Sequence, residues 1–158
     1  MANLQHTVAE FPSEVPADLS KKQTQDELSP LAIEAFLKMV SIWRLENRDA
    51  RQLLGGIPND VYNQLKTGSI KTLDQDKLTR ISLLLGIFKA LNNLYFEELE
   101  FADTWVTALN NNPIFGGKSP LIYMVQGGLP AIILVRQLLE ARCIGLGSQI
   151  QIRKEQNV

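Results

Sequence analysis

The chain is poor in the residues that most protein chemistry needs. Cys143 is the only cysteine in 158 residues, which excludes an intrachain disulfide and any multi-thiolate zinc site. His6 is the only histidine, and it lies in a stretch with no apolar period, so hydrolase triads and histidine-based zinc sites are excluded as well. Long apolar runs are missing too: the longest lies near 129–135, far short of the roughly 20 residues a bilayer span requires. The opening Met-Ala-Asn-Leu-Gln-His-Thr lacks the cationic-then-apolar layout of a signal peptide, so the expected compartment is the cytosol, with no membrane partner. Carboxylate-only catalysis is what remains to an enzyme. Its candidate clusters are Asp74/Asp76 and Glu97/Glu98/Glu100, each placed where a helix N-terminus is expected and where acidic side chains complement the helix dipole. No catalytic residue, cofactor site or metal site is assigned, and a non-enzymatic protein is expected.

What is present is a globular composition, 45% apolar, sized for one domain or two small ones. The net charge of −1 argues for no polyanionic partner, but its distribution is uneven. Residues 1–28 hold five acidic and two basic side chains, whereas 38–89 hold nine basic against five acidic, a modest footprint for phosphate.

Along the chain, 1–28 carries Pro12, Pro16 and scattered charge without sustained period, and reads as a flexible arm. Ser29 is placed to cap a first helix with Pro30 at its first position, and Leu31, Ala35, Met39 and Ile42 carry it to about Leu45. A second helix over 50–54 ends at Gly55-Gly56, and Ile57-Pro58-Asn59-Asp60 opens a third, closed by Gly68. This pair admits two readings: an αα-hairpin with a solvated polar face, or a helix-turn-helix whose second helix enters the major groove. In the latter, Asn59, Asn63, Gln64, Lys66 and Thr67 project from that helix. Asn and Gln side chains suit adenine edges, while Lys66, Ser69 and Lys71 suit phosphates. The recognition helix contains no arginine, and the Gly-Gly turn is one residue longer than usual.

Leu73-Asp74 then begins a longer helix ending near Asn92-Asn93. Glu97, Glu98 and Glu100 start the next, in which Ala102, Trp105, Val106 and Leu109 keep the i, i+3, i+4, i+7 spacing of an inward face. The run Asn111-Asn-Pro-Ile-Phe-Gly-Gly-Lys-Ser-Pro120 follows. Pro113 demands an extended predecessor and Gly116-Gly117 can turn through positive φ, so 112–117 reads as a shaped loop, with Ser119 capping and Pro120 opening a short helix to Gln126. Gly127-Gly128 stops that helix, and Pro130 stands early in an apolar one that Gly145 and Gly147 end. Residues 148–158 read as a polar tail, either a loose end or a peptide that orders on a partner.

Arg80-Ile-Ser-Leu-Leu-Leu-Gly-Ile-Phe-Lys-Ala-Leu91, Asn112-Pro-Ile-Phe-Gly-Gly-Lys-Ser-Pro-Leu121, Tyr123-Met124, Gly127-Gly-Leu-Pro130, Val135-Arg136 and Ala141-Arg142 together resemble the Xre/MbcA/ParS antitoxins, partners of RES-domain toxins. The resemblance covers about 29–147. It implies an all-α fold: a helix-turn-helix domain over 29–92 that binds operator DNA as a homodimer, and a helical toxin-binding domain over 93–147. The toxins of such pairs are similar to ADP-ribosyltransferases and consume NAD, and the antitoxin blocks their active site. Carried over by position, the toxin-facing residues are Phe115, Gly116, Gly117, Lys118, Ser119, Met124, Gly127, Gly128, Arg136 and Arg142. The chain departs from the family pattern in its acidic arm, in Pro120 where a small residue is usual, and in its lengthened turn. A helix-turn-helix regulator without a toxin is the alternative.

Overall fold

In a computed structural model, residues 17–156 are described, with the backbone alone at 148–155. Every regular element among them is helical: α1 Lys22–Ile42, α2 Asn47–Leu53, α3 Asn59–Thr67, α4 Gln75–Leu94, α5 Leu99–Thr104, a 3₁₀ turn Pro113–Phe115, and α6 Pro120–Gln156. The protein is all-α, as expected.

The first helix begins seven residues before Ser29, which corrects both the arm boundary and the cap. The stretch after Lys21 favours a helix, and it is laced by i,i+4 contacts between Lys22 and Asp26 at 2.6 Å and between Gln23 and Glu27 at 3.1 Å. Pro30 therefore sits inside the helix, on an exposed position where its ring meets solvent. Ser29 is buried instead of capping. Its hydroxyl donates to the Gln25 carbonyl and accepts from the Leu73 backbone N–H at 2.8 Å, tying α1 to the entry of α4. Of the expected arm, residues 1–16, including His6, lie outside the described residues.

α4 is the central element, packed on α1, α5 and α6. Asp74 caps it, accepting from the Lys77 N–H at 3.0 Å, and Ile81, Leu84, Ile87 and Leu91 fill its core side. One continuous apolar cluster runs from Ala32 on α1 through Trp43, Tyr62 and Phe88 to Leu139 on α6, across the expected boundary at 92/93. α5 is shorter than its spacing implies. It stops at Thr104, so Ala102, Trp105 and Val106 face inward while Leu109 is 79% exposed. The tether is tertiary: the Leu121 N–H donates to the Val106 carbonyl at 2.8 Å, which turns the chain away before another helical turn can form.

α6 breaks at Gly128, whose φ of 67° and ψ of −151° no other residue type adopts readily. Beyond the break, Ile132, Val135 and Leu139 are sunk in the core. By length and composition the helix over Pro120–Gly147 could cross a bilayer. The break at Gly128 interrupts that stretch near its start. Gly145 and Gly147 do not end it, contrary to expectation; neither takes positive φ, and the helix continues over most of the expected tail. A helical glycine costs only about 1 kcal/mol, too little to stop a helix that the rest of the sequence supports.

Candidate functional site

Two groups of predicted residues fall on two parts of the fold. The first is α3. Pro58 leads into it in an extended conformation and Gly68 ends it with φ 81°. Tyr62 and Leu65 are its buried anchors, and burial pushes the Tyr62 hydroxyl pKa above its usual value. With those two turned inward, Asn59, Asn63, Gln64, Lys66 and Thr67 are all exposed, as are Ser69 and Lys71 just beyond. Lys66 Nζ lies 5.0 Å from the Tyr62 ring centroid, a cation–π contact that holds the ammonium close to the helix. Thr67 and Ser69 share a hydrogen bond at 3.2 Å.

The turn before α3 is held by two arginines, one on each side of it. Arg51 Nε donates to the Ile57 carbonyl at 2.9 Å, closing the lengthened turn from within. Arg80 on α4, paired with Asp76 at 3.0 Å, lies against Gly55, where an added Cβ would come within 3.3 Å of its guanidinium. Asp76, a candidate acid in sequence, is thus a structural partner. The i,i+4 spacing of Asp76 and Arg80 was the available signal, but only the fold brings Gly55 beneath them.

The second group surrounds the loop 110–119. The Asn110 side chain accepts from the Asn112 N–H at 2.9 Å and the Asn112 side chain from the Ile114 N–H at 3.1 Å, so both asparagines shape the backbone. Gly116 and Gly117 follow with φ of 58° and 80°, exposed and with open space where a Cβ would stand. Lys118 is exposed and donates from Nζ to Gln126 at 2.8 Å, clasping the loop to the first turns of α6. Ser119 accepts the Ile122 N–H at 3.2 Å as the predicted cap.

Phe115, Met124 and Ser119 need correction as partner contacts, because all three are buried. Phe115 is 1% exposed, its ring edge-to-face with Trp105 at 6.0 Å and Tyr123 at 5.3 Å, and Met124 is equally enclosed. They hold the loop from below. Gly127 is exposed but has no room for a side chain, since a Cβ there would lie 2.6 Å from that of Ala131 across the break at Gly128. Arg136 is half-buried, paired with Glu140 at 2.7 Å, and its guanidinium lies over Gly86, where a Cβ would stand 2.7 Å away. Arg142 is half-buried on the same helix. The exposed part of the predicted surface is therefore Gly116, Gly117, Lys118 and Gly127, with Gly128, Arg136 and Arg142 partly accessible.

The fold is all-α, and the residues singled out from the sequence fall on two of its surfaces. The chain is 37% identical over 113 residues to the uncharacterized protein y4oB of Sinorhizobium fredii (strain NBRC 101917 / NGR234), a match that covers 72% of this chain and 84% of that one. It belongs to the same family as that protein. No family model and no solved structure matches the chain.

Proposed function

We propose that this protein is the antitoxin of a type II toxin–antitoxin pair, neutralising a RES-type, NAD-consuming toxin by covering its active site. In the same reading it acts in the cytosol, has no enzymatic activity and binds its own operator as a homodimer through α3. The observation that carries the reading is the loop 110–119: an exposed Gly116-Gly117-Lys118 tip held rigid by a buried Phe115 and two asparagine turns. A loop that merely joined helices would need no such support. Exposure of all seven polar candidates on and after α3 supports the operator part.

The test is co-expression with the protein encoded by the neighbouring reading frame, scoring growth rescue and co-purification. Rescue with a stable complex is the expected result. A neighbour that is harmless alone and does not co-purify, together with specific binding of this protein to its own promoter, would replace the reading by that of a plain helix-turn-helix regulator.

A further inference from the structure

The two arginines at the turn between α2 and α3 are each held through one nitrogen and keep the others free. Arg51 on α2 donates its Nε to the Ile57 carbonyl at 2.9 Å, and Arg80 on α4 donates its own to the Asp76 carboxylate at 3.0 Å. Neither guanidinium makes a further hydrogen bond among the described residues. There, Trp43 Nε1 is the one buried side-chain nitrogen or oxygen without a partner, so the unpaired Nη atoms of both arginines reach the surface. Asp76 offsets part of the Arg80 charge, whereas Arg51 belongs to no ion pair among the described residues.

Beside them Gly55 and Gly56 are exposed and carry no side chain, with φ of 94° and 78°. A bulky polyanion can therefore approach the guanidinium groups over bare backbone. Such a fork donates parallel hydrogen bonds to phosphate oxygens, and one already held through Nε loses little freedom in doing so. The kind of phosphate is decided by α3. Its nine residues span about 13 Å at 1.5 Å per residue, close to the roughly 12 Å width of the DNA major groove. The arginines stand at its N-terminal end, and the exposed Lys66, Ser69 and Lys71 stand at and beyond its C-terminal end. Donors to phosphate thus bracket the exposed Asn59, Asn63 and Gln64.

We infer that Arg51 and Arg80 form a clamp for a DNA backbone phosphate, which seats α3 in the major groove from its turn end. It supplies from α2 and α4 the arginines that α3 itself lacks. Contacts of this kind position a protein on the duplex and read no base. Arg51, whose charge is unshared, is the stronger member. The clamp rests on the operator part of the proposed function, but it acts on DNA of any sequence, so phosphate holding and operator choice can be measured apart.

The experiment is fluorescence anisotropy of the full chain on two labelled duplexes over a series of salt concentrations. One duplex lies immediately upstream of the protein's own reading frame, and the other has the same composition in shuffled order. Arg51→Gln and Arg80→Gln keep a donor for the turn but lose the charge, and their folding is checked by circular dichroism. Each should lower the slope of log affinity against log salt by about 0.9 unit on both duplexes, with the larger loss of affinity for Arg51→Gln, and Arg51→Lys should restore the slope. A second measurement needs no variant: either duplex, once bound, should shield Arg51 and Arg80 of the wild type from phenylglyoxal. Weaker binding at an unchanged slope, or unchanged phenylglyoxal reactivity, would overturn the clamp, and the operator reading would stand if the upstream duplex were still preferred. Equal affinity for the two duplexes with the slope loss intact would keep the clamp and remove the operator. A wild type that binds neither duplex at low salt overturns both.

Discussion

The α3 region and the 110–119 loop carry their candidate residues in different ways. On α3, two buried anchors, Tyr62 and Leu65, set the helix down and leave every polar candidate facing outward. In the loop the candidates divide between support and surface, with Phe115, Met124 and Ser119 inside and Gly116, Gly117 and Lys118 outside. A helix separates its faces by period, so a list of polar residues is already a list of exposed ones. An irregular loop has no period. Its shape is made by the same short segment that presents its surface, and a motif match cannot tell the two kinds of residue apart.

Phe115→Ala tests that division most severely. Removing a ring enclosed by Trp105 and Tyr123 should cost about 3–5 kcal/mol in urea unfolding, where a surface contact residue would cost almost nothing. Ser29→Ala comes next: it leaves the buried Leu73 N–H without its acceptor and should cost about 1–3 kcal/mol in the same unfolding. Gly116→Val should cost about 1–3 kcal/mol from backbone strain alone, since space for the side chain is open, while Gly116→Asn recovers most of it. On the antitoxin reading the valine variant loses toxin binding and keeps helical content and DNA affinity. Equal neutralisation by valine variant and wild type would make the loop a connector.

Asp74→Ala should cost about 1 kcal/mol at neutral pH through loss of the cap. Burial pushes this carboxyl's pKa up, but the Lys77 ammonium and backbone N–H outweigh it and hold the group below 3.8. The cap's contribution is therefore present above pH 3.8 and lost as pH falls through the lower folded value, so the variant should lack that part of the acid sensitivity. Lys66→Ala is the mildest change for the fold, below about 1 kcal/mol because Lys66 itself is exposed. Its effect should appear in binding, as a salt-dependence slope for operator DNA lower by about one unit, whereas Asn63→Ala with Gln64→Ala should relax sequence choice. An unchanged slope would leave α3 as the outer helix of an ordinary hairpin.

Signals that act within one or two helical turns were legible in the residues alone. The helix start at Leu73-Asp74, the stop at Gly68, the asparagine-and-glycine loop with Ser119 as cap, and the break at Gly127-Gly128 are all local events between neighbours in sequence, and each stands where the chain places it. The individual helices followed from apolar spacing for the same reason, and the all-α class from the resemblance. Tertiary structure decided what depends on which element arrives next. Leu73 turned Ser29 from a cap into a bridge, the Val106–Leu121 hydrogen bond cut α5 short and left Leu109 in water, and Trp105 with Tyr123 drew Phe115 inward. Burial is a property of pairs of surfaces, and a sequence states only one member of each pair until the fold brings in the other.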